Sequence, residues 1–187
     1  RPGFKGAPTK TEIDRHIDGN NSDQTSGKNG NSIHSFASLN VVSNPGSDPW
    51  HQNVKLFINF PSTGAGCSGA LIDYEWVLTA GHCVHQDDKG GDANAINVVP
   101  GFSSGSRPFG TVQADWVGTL SGWTQNSNFN FDIAWVHLQS PVGFKTGFFG
   151  TGYDSDNDFF YNNNFRSPGY PAGASSYSGQ TMIRWNG

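Results

Sequence analysis

Apolar positions fall in short runs broken by turn residues, with no helical rhythm sustained over three turns. Phe36–Val41, Val54–Phe60, Gly69–Ile72, Trp76–Thr79, Ile96–Val99, Thr111–Val117 and Ile133–Leu138 each read as a strand. A last strand is expected over Thr181–Trp185. Short strands at this spacing predict an all-β barrel or sandwich. Two stretches lack the pattern. Residues 1–31 are dense in Gly, Asn, Ser, Asp and Lys and read as an extended N-terminal arm, and residues 150–164 read as a polar surface loop. No internal repeat is present.

Composition narrows the class. Charged residues make up 14% of 187, against roughly 25% in an average soluble domain, while 13% aromatics argue against disorder. The 25 glycines and 10 prolines are best read as punctuation between strands. A net charge of −4 provides no basic field for a polyanion, so no nucleic-acid partner is expected. No run approaches 18 apolar residues, so no membrane span is expected. Residues 1–20 lack the apolar run of a signal peptide, which implies that any such peptide has been removed or was never there.

The chemistry concentrates in Gly66–Val84. Gly69–Ile72, a turn at Asp73-Tyr74-Glu75 and Trp76–Thr79 lead into Gly81-His82-Cys83, and Cys67 stands at the other end of the unit. A hairpin would bring the two cysteines together, so a bridge across the 16-residue spacing is geometrically reasonable in an oxidising compartment. In a reducing compartment they would be two buried thiols. His82 alone proves little, because an isolated histidine is more often structural than catalytic. Asp132, in Phe131-Asp132-Ile133-Ala134, is a carboxylate flanked by apolar residues at a strand start, costly to bury without a partner.

Thr79-Ala80-Gly81-His82-Cys83 resembles the histidine motif of chymotrypsin-like serine proteases, and Asp132-Ile133-Ala134 resembles the aspartate motif of the same family. The bacterial glutamyl endopeptidase branch is the most similar, through Cys67-Ser68-Gly69-Ala70-Leu71-Ile72, Val99-Pro100-Gly101 and Gly169-Tyr170-Pro171, with Ala172 where that branch has a further glycine. The resemblance runs from about Phe36 to the C-terminus. It implies a double antiparallel β-barrel, the first barrel complete over 32–140 and a second begun over 141–187. It also implies secretion, hydrolysis of protein or peptide substrates, His82 as general acid/base, Asp132 as its orienting carboxylate and a Cys67–Cys83 disulfide. Preference for glutamate is implied by the branch alone. No cofactor is implied.

One member of the expected triad is missing. Neither Gly-Asp-Ser-Gly nor Gly-Asn-Ser-Gly follows Asp132. A second six-stranded barrel needs about 55–65 residues, and part of 133–187 is the polar loop. Ser178 stands too soon after Gly169-Tyr170-Pro171, and Ser68 precedes the histidine on a strand where its role would be structural. The expectation is therefore a protease whose serine lies in a remainder of the same protein. The rivals are a catalytically inactive homologue used for binding and a secreted structural or adhesive β-domain. Among weaker signals, Asp154, Asp156 and Asp158 have calcium-loop spacing, but Phe159 and Phe165 stand where an EF-hand needs glycine and glutamate. A looser calcium site there, or at Asp87, Asp88 and Asp92, is a secondary expectation. His85 is expected to point away from His82, on strand geometry, and the tryptophans and Met182 are read as core.

Overall fold

The computed structural model describes residues 39–155, 157–172 and 177–186. The expected arm at 1–31 and the beginning of the strand expected at Phe36 lie outside them. Eleven strands occur along the described chain: β1 (Asn40–Val41), β2 (Asn53–Asn59), β3 (Gly64–Leu71), β4 (Trp76–Thr79), β5 (His85–Gln86), β6 (Gly91–Asp92), β7 (Ala95–Pro100), β8 (Val112–Thr119), β9 (Ala134–Leu138), β10 (Arg166–Gly169) and β11 (Ile183–Asn186).

Six of them close into an antiparallel barrel in the order β2-β3-β4-β9-β8-β7, with β2 paired to both β3 and β7. Closure leaves these strands no free edge. Alternation decides which side chains fill the interior: Val54, Leu56 and Ile58 of β2 meet Val77 of β4, Ile96 and Val98 of β7, Val112 of β8 and Val136 and Leu138 of β9, all buried. Gly69 of β3 has to be bare, because a Cβ there would lie 2.6 Å from Val77 Cγ1 and 3.2 Å from Val54 Cγ2.

Lys55 and Asn59 interrupt the apolar run Val54–Phe60, yet Lys55 is buried along with Val54, Leu56 and Ile58, because β2 is covered on both faces. Outside the barrel, Val42, Val99, Phe102, Tyr170 and Met182 form a second core against which Trp50 and Phe57 pack. This layer is held by a three-stranded sheet in the order β1-β11-β10, which pairs Asn40 with Arg184 and Pro168 with Arg184 on its other side. Tyr170 fixes the layer to the barrel. Its backbone N–H donates to Ser68 Oγ at 2.8 Å and its buried hydroxyl donates to the Phe102 carbonyl at 2.9 Å. The Pro100-Gly101 turn between the two cores needs glycine: Gly101 has φ 59°, and a Cβ would lie 2.7 Å from the Pro45 carbonyl oxygen.

The helices are short. Ser121–Asn126 follows β8, Gly143–Thr146 follows β9, and Asn157–Asn162 lies within the stretch expected to be loop. Trp116 departs from the expectation that the tryptophans are core: it is 53% exposed on the outer face of β8, edge-on to Trp76. A β-bulge between Ala114 and Trp116 shifts the register there. Met182 and Trp123 are buried as expected.

Gly69→Ala is expected to destabilise the barrel by about 1–3 kcal/mol through overpacking, read as a lower denaturant midpoint with an unchanged slope.

Candidate active site

The 50-residue gap between His82 and Asp132 is closed by the register of two neighbouring strands. Thr79, the last residue of β4, pairs with Ala134, the first of β9. Because the strands are antiparallel, the chain leaving β4 and the chain entering β9 lie side by side. A 3₁₀ turn, Gly81–Cys83, then presents His82, while another, Phe129–Phe131, ends at Asp132. Thr119, which also pairs with Ala134, donates from Oγ1 to the Ile133 carbonyl at 2.7 Å and pins the residue between them.

Asp132 holds the histidine at two points. Oδ2 lies 2.8 Å from His82 Nδ1, and Oδ1 accepts the His82 backbone N–H at 2.7 Å. The carboxylate is 14% exposed and the imidazole 44%. An ionised carboxylate only accepts, so Nδ1 carries the hydrogen and Nε2 is left with its lone pair. Among the described residues Nε2 has no hydrogen-bond partner. The arrangement is an oriented base with one nitrogen free to take a proton from outside the barrel.

Cys67 on β3 and Cys83 in the histidine turn form a disulfide, with Cα atoms 6.1 Å apart. The bridge ties the turn carrying His82 to β3, the barrel neighbour of the strand that leads into the turn. Cys67, His82 and Cys83 have ligand atoms within 4.8 Å of one another, the only such group of three among the described residues. With the sulfurs bonded to each other, His82 is left as the sole donor, which does not make a zinc site.

The other face of the turn is built by Trp123, a residue the pattern of the chain did not single out. Its ring centroid is 6.2 Å from that of His82, and its Nε1–H donates to the His85 carbonyl at 2.9 Å. Gly81 has to be bare, since a Cβ would lie 2.9 Å from Trp123 Cγ and 2.8 Å from Thr119 Oγ1. His85 does point elsewhere, but not for the expected reason. His82 sits in a 3₁₀ turn and His85 in β5, where Nδ1 lies 2.6 Å from Asp92 and Nε2 3.1 Å from Asp87. These two carboxylates, considered above for calcium, therefore already face a histidine. Burial alone would lower the His85 pKa, but hydrogen bonds and charge from Asp92 and Asp87 outweigh it and raise the value above 6.5.

A family profile described as trypsin matches residues 40–160. The chain belongs to the trypsin family. It is 34% identical over 111 residues to an extracellular metalloprotease of Bacillus subtilis (strain 168), covering 58% of this chain and 35% of that protein. It is 32% identical over 99 residues to the glutamyl endopeptidase of Bacillus licheniformis, covering 53% and 31%. The chain thus spans about a third of the length of these curated relatives. Among solved structures, the protease Anisep from Arthrobacter nicotinovorans superposes with a TM-score of 0.67 at 22% identity, over 80% of this chain and 66% of that one, a likeness of fold.

The remaining candidates of this trypsin-family chain fall elsewhere. Ser68 accepts from Tyr170 through Oγ, and its carbonyl accepts from Thr79 Oγ1 at 2.8 Å, so it serves the packing of the barrel. Ser178 sits in an isolated bridge to Ala172. Of the spaced acids Asp154, Asp156 and Asp158, Asp156 lies outside the described residues. No helix among the described residues is long and apolar enough to cross a membrane.

Replacing Cys67 and Cys83 together by alanine is expected to cost about 3 kcal/mol for a loop of this length, measured by denaturant unfolding with and without reductant. The folded chain holds the His85 proton more tightly than the unfolded chain. That contribution to stability is fully present below about pH 6.5 and is lost as pH rises through the higher folded value. Asp92→Asn should bring the His85 titration down, as followed by NMR of the imidazole.

Proposed function

We propose that this chain carries the general base and the orienting acid of a secreted serine endopeptidase with a preference for glutamate, whose nucleophilic serine lies in polypeptide outside these 187 residues. The observation that carries the reading is the two-point hold of Asp132 on His82, at 2.8 Å and 2.7 Å, which fixes both the tautomer and the direction of Nε2.

In this reading His82 Nε2 takes the hydroxyl proton of the incoming serine as its oxygen attacks the scissile carbonyl. Asp132 stays ionised and stabilises the imidazolium that forms. His82 then gives the proton to the leaving amine, and the acyl-enzyme is released by water activated at the same nitrogen. The backbone donors for the oxyanion would come with the serine. The route uses no cofactor. Likeness to an extracellular Bacillus protease and the Cys67–Cys83 bridge support secretion, and likeness to a glutamyl endopeptidase supports the choice of glutamate. Substrates are proteins or peptides, and the remainder of the same protease is the obligatory partner.

The native material should have a greater intact mass than these 187 residues and should take a fluorophosphonate label. A mass equal to the 187 residues with no labelling would overturn the reading in favour of a binding module. In the complete protein Asp132→Asn is expected to lower kcat by about four orders of magnitude, as at other triads of this type, with little change in KM.

A further inference from the structure

The search for chemistry outside the proposed site leads to Lys55. It lies in the middle of β2, between Val54 and Leu56, whose side chains fill the barrel, so Lys55 faces outward onto the second core. It is only 3% exposed. Its Nζ stands 5.9 Å from the centroid of Phe57 and 5.6 Å from that of Tyr170. Among the described residues Nζ makes no hydrogen bond and no ion pair.

Aromatic faces attract an ammonium but accept none of its three N–H groups in the way an oxygen does. A buried cation without acceptors is costly, and desolvation pulls the Lys55 pKa below its ordinary value of 10.5. The neighbourhood offers no relief. Arg107 lies over the same Phe57 ring at 5.4 Å, and Arg184 lies over Trp50 at 5.5 Å. None of Lys55, Arg107 and Arg184 has an ion pair to an acid among the described residues. Two glycines make room for the ammonium itself by letting the backbone come close: a Cβ on Gly66 would lie 2.6 Å from Nζ, and one on Gly179 3.1 Å.

We infer that Lys55 is a built seat for a carboxylate, the aspartate or glutamate side chain of a segment that joins the barrel where Tyr170 and Gly179 cover it. The inference rests on the reading that further polypeptide completes the protease. That polypeptide would dock here through a buried ion pair as well as at the active-site groove. A buried amine flanked by other cations selects for a negative partner, and removing either member of such a pair leaves an uncompensated charge.

The test uses the complete protein, labelled with ¹⁵N at lysine. The Lys55 NH₃⁺ group is expected to give a slowly exchanging signal and to titrate at or above 10.5. Scanning acids beyond Gly187 to their amides should identify one whose loss lowers the melting temperature by as much as Lys55→Met, while the double variant melts no lower than the worse single one. Four results overturn the proposal: Lys55 titrating well below 10.5 in the complete protein, a pairing acid within residues 1–187, pairing only with added acetate, or a reading frame that ends at Gly187. The wild-type titration stands even if Lys55→Met fails to fold. Fluorophosphonate labelling is scored separately: an ion pair without labelling keeps the seat and removes the protease, and labelling with an unpaired Lys55 does the reverse.

Discussion

The site depends on one pairing, Thr79 of β4 against Ala134 of β9. Antiparallel neighbours bring the exit of one strand to the entrance of the other, and here both connections are single 3₁₀ turns. Everything chemical follows from that adjacency. A slip of one residue would send the buried side chains of β9 to the wrong face as well as part the imidazole from the carboxylate, so the packing of Ala134, Val136 and Leu138 and the geometry of the site are specified together. Function and core are guarded by the same register.

Around this pairing the supports come from several parts of the chain. The disulfide holds the histidine turn to β3, Trp123 closes it from the helix after β8, and Thr119 grips the residue next to Asp132. Exposure differs across the pair: Asp132 is nearly enclosed while His82 is almost half open. An enclosed carboxylate with two donors keeps its place, and an imidazole with one free nitrogen can meet a reactant. The geometry has the asymmetry that acid–base work requires.

Much of this was legible in the residues because it is local. Short apolar runs located every barrel strand, and Thr79-Ala80-Gly81-His82-Cys83 with Asp132-Ile133-Ala134 marked the two side chains that meet. What was not legible depends on distant partners. The strand expected over Phe36–Val41 does end in β1, but its partner, β11 through Arg184 and Ile183, lies at the far end of the described chain and carries no local signal. β10 contains Pro168-Gly169, which reads as a turn, yet pairs with β11 along four residues. β5 and β6 are too short for any periodicity and are held by His85 and Asp92. Trp123 carried no signal beyond apolarity, and a lysine within an alternating strand reads as solvent-facing, whereas Lys55 is covered by Tyr170, a residue far along the chain.

The barrel and the sheet differ in one further respect. The six-stranded ring is saturated: each of its members already has two neighbours, and nothing can be spliced into it without opening it. The ribbon formed by β1, β11 and β10 is an open sheet rather than a closed ring. Any enlargement of this architecture by strand addition therefore has a direction, outward from the ribbon and away from the ring.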